Sequence, residues 1–467
     1  MTAQSDVLAA ERPRPVPVPR RLSVGLGSGT ILQGLNSSMI AVAIVAIGQH
    51  FGSASGTAWV ISALYIATAV AAPTAGRLGA VLGARRVYLG GLALIAVGAI
   101  AGALAPSLGW LIAARVLLGI GTATQYPTAM TIVREYADRH GAQPRSAIAT
   151  LTACAQAVVA LGPTIGGLLV STLGWQSIMW VNLPLAAVSA VWVLAVADPD
   201  GPRPRRGTGA ELVRSLDPAG MALFLAGTST LMFFLLSLTT TPSWWLAPVS
   251  VAVWAAFVWR EAHCAAPFID VRELARNRML STTLARTLAT YTAFYCIFFG
   301  LPQWLQGAHG MSASVAGLMM LPIAGVGVGA TMIASRIYGR HGARRTLLVG
   351  TSGLVVGGLL LAFVETSTAP AWSILLIAAI LGVPNGFNNM GNQNLVNASA
   401  SARDVGTAIG MYRTIQYVGA NLAAVVIEVT THGGPSDAGL HRIGAVIATI
   451  ATFLVVGVLF SRTLRDH

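Results

Sequence analysis

The chain has 467 residues, of which 55% are hydrophobic and only 10% charged, against about 25% charged residues in an ordinary soluble domain. With a mean hydropathy of +0.69, it has too little polar surface to face water all round, which excludes a soluble globular enzyme and points to an all-α polytopic membrane protein. The 29 basic residues are all arginine, set against 16 acids; no basic-aromatic face or nucleic-acid module accompanies them, so no nucleic-acid partner is expected. Residues 1–21, ending in RPRPVPVPRR, have no apolar period. They predict a disordered cytoplasmic tail that touches anionic lipid through Arg12, Arg14, Arg20 and Arg21. No cleavable leader is expected, because the apolar run that follows is long enough to span a bilayer.

About fourteen apolar runs of spanning length then follow. Their approximate cores are 23–49, 58–78, 87–105, 109–132, 147–172, 177–197, 218–238, 244–260, 281–305, 313–336, 346–365, 371–398, 405–430 and 441–462. The polar stretch DPDGPRPRRGTGAELVRSL interrupts the even layout at 198–216. The expected organisation is an N-terminal six-helix bundle over 22–197, a linker with two inserted helices over 198–280, and a C-terminal six-helix bundle over 281–467. Arginines recur in alternate loops, as at Arg85, Arg86, Arg134, Arg139, Arg344 and Arg345, while the loops between are almost uncharged. By the positive-inside rule both termini are expected in the cytoplasm, in a bacterial inner membrane. Trp59, Trp110, Trp175, Trp244, Trp245, Trp304 and Trp372 fall at the opposite helix ends, as an interfacial belt requires.

Cys154, Cys264 and Cys296 stand apart with no metal-ligand spacing, so no metal or cofactor is expected. No Ser/His/Asp set or carboxylate pair assembles at one depth, which argues against an enzyme. One run is unusual. In NGFNNMGNQN (385–394), Asn385, Asn388, Asn389 and Asn392 fall at i, i+3, i+4 and i+7 on one helix face. Each unpaired amide in hydrocarbon costs kilocalories. The stripe must therefore line a hydrated cavity or form a polar seam between helices. Gln33 and Asn36, Gln125 and Tyr126, Tyr291 and Tyr295, and Arg413 and Gln416 are further cavity candidates. This mix of amide, phenol and arginine, almost without acid, favours a small amphipathic substrate that is neutral or weakly anionic.

Arg115, Arg286 and Arg413 lie within apolar runs, where a charge costs at least about 2.5–3.5 kcal/mol unless it is paired or snorkels to an end. Among the acids, Glu365 and Glu428 fall near spans. A buried glutamate titrates where proton exchange needs it, so Glu428 is a candidate proton carrier; a solvated residue at the outer mouth is the alternative.

An ordered set of motifs adds to this reading: GRLGAVLGARRV (76–87), RVLLGIGTATQYP (115–127), LGPTIGG (161–167), GWQSIMWVNLP (174–184), and an echo of the first, GRHGARR (339–345). Together they resemble the major facilitator superfamily, specifically its 14-helix drug:proton antiporter branch. The resemblance implies two six-helix bundles around a central site that opens alternately to each side, exporting drugs or metabolites against a proton gradient. It implies a gasket role for Gly162, Pro163, Gly166 and Gly167, with GVGVG (Gly325, Gly327, Gly329) as their partner; ordinary small-residue packing is the alternative. It also implies a functional role for Arg115. Arg85 and Arg86 would face lipid phosphates or a neighbouring helix end. The family's usual acids are replaced here by Asn36 and Ala80, so Glu135 or Asp138 is expected to partner Arg85 or Arg86. With Asn36 unable to titrate, a facilitator or importer of a neutral solute stays open as a second reading. A membrane sensor or lipid-modifying enzyme is a third.

Overall fold

The computed structural model describes residues 17–52, 56–200, 217–238, 241–265, 267–399, 405–432, 434–461 and 464. Among these there is no β-strand, as expected where no water is present to satisfy an open backbone. Helices α1 (Arg20–Ser38) and α2 (Ile40–Phe51) form one span bent by 50°. They are followed by α3 (Thr57–Leu82), α4 (Ala84–Ala103), α5 (Leu108–His140), α6 (Arg145–Leu173), a single turn α7 (Ser177–Trp180), and α8 (Asn182–Val196). The pair α9 (Pro218–Ser237) and α10 (Leu246–His263) comes next, then the short α11 (Val271–Arg276). Helices α12 (Arg278–Gly307), α13 (Ala313–Met319), α14 (Leu321–Phe363), α15 (Ala371–Ser399), α16 (Val405–Thr430) and α17 (Asp437–Phe460) complete the order. Helix α14 breaks at Gly342 (φ 77, ψ −178), so its two arms cover two of the apolar runs.

All fourteen runs are helical. Among the described residues, 8 helices are long and apolar enough to cross a membrane by length and composition, or 9 with the bent pair. Helix α16 falls short of that apolarity because Arg413, Gln416 and Asn421 lie along it. The expected tail is shorter than predicted at its inner end, since Arg20 and Arg21 open α1. Residues 1–16, with Arg12 and Arg14, lie outside the described residues, as do 201–216 of the linker.

The loops with paired arginines repeat a local design. Gly83 (φ 113) precedes Arg85 and Arg86, and Gly342 precedes Arg344 and Arg345. Arg85 Nη2 donates to the Leu194 carbonyl at the end of α8, and Arg344 Nη2 to the Leu459 carbonyl at the end of α17, both at 2.8 Å. Helix C-termini leave such carbonyls without intrahelical partners and favour a cation there. The carboxylate that binds the backbone of this loop is neither Glu135 nor Asp138. Asp200, folded back from the end of α8, accepts from the Arg85 and Arg86 backbone N–H groups at 3.1 Å each, and lies 3.9 Å from Arg86 Nε. It caps α4 from outside, because Gly83 has no side chain with which to do so. Glu135 instead pairs with Arg139 at 3.3 Å, and Asp198 joins that arginine at 3.6 Å; Asp138 is exposed.

The α1–α8 and α12–α17 groups meet along α3 with α16, α6 with α13, and α2 with α12. Gly162 and Gly166 face Ser38 and Met39, where α1 gives way to α2. A Cβ on Gly167 would stand 2.2 Å from the Ala313 carbonyl oxygen, and one on Gly317 would stand 2.3 Å from that of Pro163. Thr164 Oγ1 donates to the Gly317 carbonyl at 2.9 Å, and Ser314 Oγ to that of Gly167 at 3.2 Å. The partner of GPTIGG is thus α13, not the GVGVG stretch. Gly327 faces Asn385 and Gly382, and at Gly325 and Gly329 a Cβ would meet nothing within 4 Å. The reason is depth: the close crossing sits nearer the helix ends than the sequence equivalence suggested.

The inserted pair packs α9 against α10, α3 and α16. Asp217 caps α9, accepting from the N–H groups of Gly220 (3.1 Å) and Phe268 (3.0 Å), while Glu261 accepts from Ile269 N–H at 2.8 Å. Arg260 bridges the two carboxylates. Both ends of the pair are thereby tied to the 267–269 segment.

Two outcomes test this packing. Gly317→Leu should force the α6–α13 crossing apart, since overpacking costs about 1–3 kcal/mol; spin labels at residues 168 and 315 should report a longer separation, with Gly329→Leu unchanged. Asp200→Ala should destabilise the protein by about 0.5–2 kcal/mol, the usual effect of a lost cap, and Asp200→Asn by less, as read by thermal unfolding.

Candidate substrate cavity

A cavity of about 340 Å³ lies between the two helix groups. Helix α1 lines it with Thr30, Gln33, Gly34 and Ser37, and α12 with Tyr291, Phe294, Tyr295 and Phe298. Each set falls at i, i+3, i+4 and i+7, one face of a helix. The first wall is polar; the second is aromatic. Helix α16 adds Arg413, Gln416 and Tyr417, α15 adds Asn385 and Asn389, and α3 adds Tyr65.

Contacts across the cavity join the walls. Tyr65 from α3 packs its ring on Tyr295 (5.4 Å between centroids) and Tyr417 (5.8 Å), within the range of favourable ring pairs. Gln33 donates to the Tyr417 hydroxyl. Asn389 Oδ1 accepts from the hydroxyls of Tyr291 (3.2 Å) and Tyr412 (3.1 Å). Arg413 is the one charged residue among those lining the cavity. Its Cζ stands 5.4 Å from the centre of the Tyr126 ring, a cation–π distance, and among the described residues no carboxylate pairs with it.

Gln33, Tyr291, Tyr295, Asn385, Asn389, Arg413 and Gln416 line this cavity, and Pro163 reaches it from α6. The remaining predicted lining residues lie elsewhere. Asn36 is buried against Asn182, whose Nδ2 donates to its Oδ1 at 3.3 Å. Gln125 is buried and donates to the Tyr88 carbonyl and Thr124 hydroxyl. Tyr126 does not line the cavity, but its ring lies beneath Arg413. Asn388 is buried facing Gly350 of α14. Asn392 is buried and accepts from Arg286 Nε at 3.1 Å. The amide stripe therefore divides: Asn385 and Asn389 face the cavity, while Asn388 and Asn392 face neighbouring helices. Glu428, on α16, is half-buried and does not line the cavity.

The other two arginines are held by neutral groups. Arg115 donates from Nε to the Val60 carbonyl (3.0 Å) and from Nη1 to the Asn36 carbonyl (3.2 Å). Asn36 lies in the last turn of α1, where carbonyls lack intrahelical donors. Arg286 adds Thr283 Oγ1 at 3.0 Å to its Asn392 bond. Both are buried rather than snorkelled to an end.

Sequence reasoning missed Thr30, Ser37, Tyr65, Phe294, Phe298 and Tyr417. Five of these share a helical face with residues it did find, at three- or four-residue spacing, so the signal was present. Asn392→Leu should lower stability by about 1–3 kcal/mol by leaving a buried charged donor unpaired. Asn389→Leu should leave the melting temperature nearly unchanged and lower transport; thermal unfolding and flux measured on both variants separate the two faces.

Comparison with known proteins agrees with this architecture. A family model described as Major Facilitator Superfamily matches residues 26–424. The uncharacterized MFS-type transporter YwoD of Bacillus subtilis is 34% identical over 408 residues, covering 86% of this chain and 88% of that protein. The multidrug resistance protein Stp of Mycobacterium tuberculosis is 31% identical over 73% of this chain and 63% of its own length. Among solved structures, the xylose transporter XylE from E. coli shares the fold with a TM-score of 0.62 at 12% identity, covering 93% of this chain and 97% of that one. A polar wall and an aromatic wall enclosed by two facing helix groups, and a family match across most of the sequence, lead to one conclusion: this chain is an integral membrane protein that belongs to the Major Facilitator Superfamily.

Proposed function

We propose that the protein exports small amphipathic molecules, neutral or weakly anionic, by alternating access, driven by the proton gradient. The observation that carries the substrate class is Arg413, a lone cation in a cavity whose lining residues include no acid. An arginine beside a water-excluded aromatic wall attracts an anionic or polarised group, while the rings take the apolar body. A cationic drug would meet like charge there. The direction of transport rests on similarity to proteins such as Stp, named for multidrug resistance. Residues Gly162, Pro163, Gly166 and Gly167 are the proposed gasket, on the strength of their close fit to α1 and α13. Arg115 ties helix ends together beside it, and Arg85 and Arg86 hold the start of α4 against the end of α8. Glu428 is the proposed proton carrier, and the Arg-rich loops and both termini are placed on the cytoplasmic side of the inner membrane. The six, two and six division of the helices is part of the same proposal.

One observation favours a second reading, a facilitator of a neutral solute: where an acid would serve proton coupling, Asn36 is engaged with Asn182. Counterflow in proteoliposomes separates the two. Flux of a carboxylate-bearing compound and of its neutral analogue is measured with and without a pH gradient, in the natural protein and in Arg413→Gln. Arg413→Gln should lower flux of the anion by about tenfold, equivalent to about 1.4 kcal/mol, and leave the neutral analogue within about twofold. Flux that ignores the gradient overturns proton coupling, and equal loss of both compounds overturns the role given to Arg413.

A further inference from the structure

A second cavity, of about 370 Å³, lies outside the transport path. Helix α3 stands between the two: Tyr65 lines the central cavity, while Ala63, Ala67 and Ala71 line the second. Val116 of α5 forms its second wall, and Met221 and Leu225 of α9 the third. The cavity follows α3 from Trp59 to Leu78, roughly 28 Å at the rise of an α-helix. That is about the 30 Å thickness of a bilayer's hydrocarbon core. A volume this small over that length describes a slot about as wide as one chain.

The chemistry of the walls restricts what fits. Apart from Thr74, Thr124 and Ser229 and the indole of Trp59, the lining is aliphatic. Two of the hydroxyls are turned inward: Thr74 Oγ1 donates to the Val70 carbonyl at 3.0 Å, and Thr124 Oγ1 to that of Gly121 at 2.9 Å. Water needs two to four polar partners and gains little in such a slot. Val116 and Leu225 are 36% and 44% exposed, so the slot opens sideways on the surface that faces hydrocarbon.

We propose that this slot is a lipid site that takes a single phospholipid acyl chain, packed between the inserted helix α9 and the α3–α5 wall. The chain supplies the dispersion contacts that an unfilled slot would lack, and it gives α9 a continuous apolar seat on the bundle. The site is independent of the substrate proposed for the central cavity.

The test uses the full-length protein in nanodiscs of phosphatidylglycerol carrying a diazirine on one acyl chain. After illumination, adducts are mapped by peptide mass spectrometry. Adducts should be denser on the slot faces of α3 and α9 than on the exposed, bilayer-facing Phe363 and Phe453, and Ala67→Phe should abolish the slot adducts while sparing those two positions. Should that variant fail to fold, Leu225→Trp fills the slot from its exposed side and carries the same expectation. Equal density at all positions, or slot adducts insensitive to filling, overturns the site. Displacement of the lipid adducts by a transported compound would assign the slot to cargo and overturn the acyl-chain assignment.

Discussion

Among the described residues, three arginines sit between apolar helices without a carboxylate to hold them, and much of the architecture follows from how each is satisfied. In hydrocarbon, desolvation of a guanidinium is costly and must be offset by hydrogen bonds to every available acceptor. Arg115 takes the carbonyl of Asn36, at the turn where α1 bends into α2, together with that of Val60 on α3. It therefore ties α1, α3 and α5 at one point, beside the Ser38–Met39 break on which Gly162 and Gly166 also pack. Arg286 takes an amide from α15 and so fixes α12 against it. Arg413 alone keeps its donors toward the cavity and rests against an aromatic ring. Two arginines knit the scaffold, and the third lines the central cavity.

The amide run on α15 meets the same need only in part: Asn392 accepts from Arg286, while both polar side-chain atoms of Asn388 are buried without a hydrogen-bond partner among the described residues. A stripe at i, i+3, i+4 and i+7 spans a broad face, wide enough to touch both a neighbour and a cavity. Asn388 and Asn392 lie on the side turned to α14 and α12, and Asn385 and Asn389 on the side turned to the central space. Cavity lining and helix glue are therefore not rival accounts of one motif. They are its two edges.

Most of the fold was legible because lipid leaves the backbone few choices. Every run of spanning length became a helix, and GPTIGG marked a close crossing where GVGVG did not. What the sequence carried less well was which neighbour a given face meets. Asn36 and Gln125 look like cavity residues by type, yet Asn182 and Tyr88 from other helices claim them. Asp200 sits more than a hundred positions from the loop it caps, so nothing local pointed to it. The missing acid at Ala80 did signal that some other carboxylate had to serve there. Tyr65 gave no signal beyond its type, because its place in the wall comes from meeting Tyr417 across the two helix groups.

The unlike walls of the central cavity carry one more consequence. Hydrogen-bonding groups line the α1 side and rings the α12 side, so a molecule that spans the cavity would touch both helix groups. Under the proposed alternating access, such a molecule would hold both walls only while they stand at their present spacing. As the groups swing apart it would lose its contacts with one of them, and its affinity would fall through geometry.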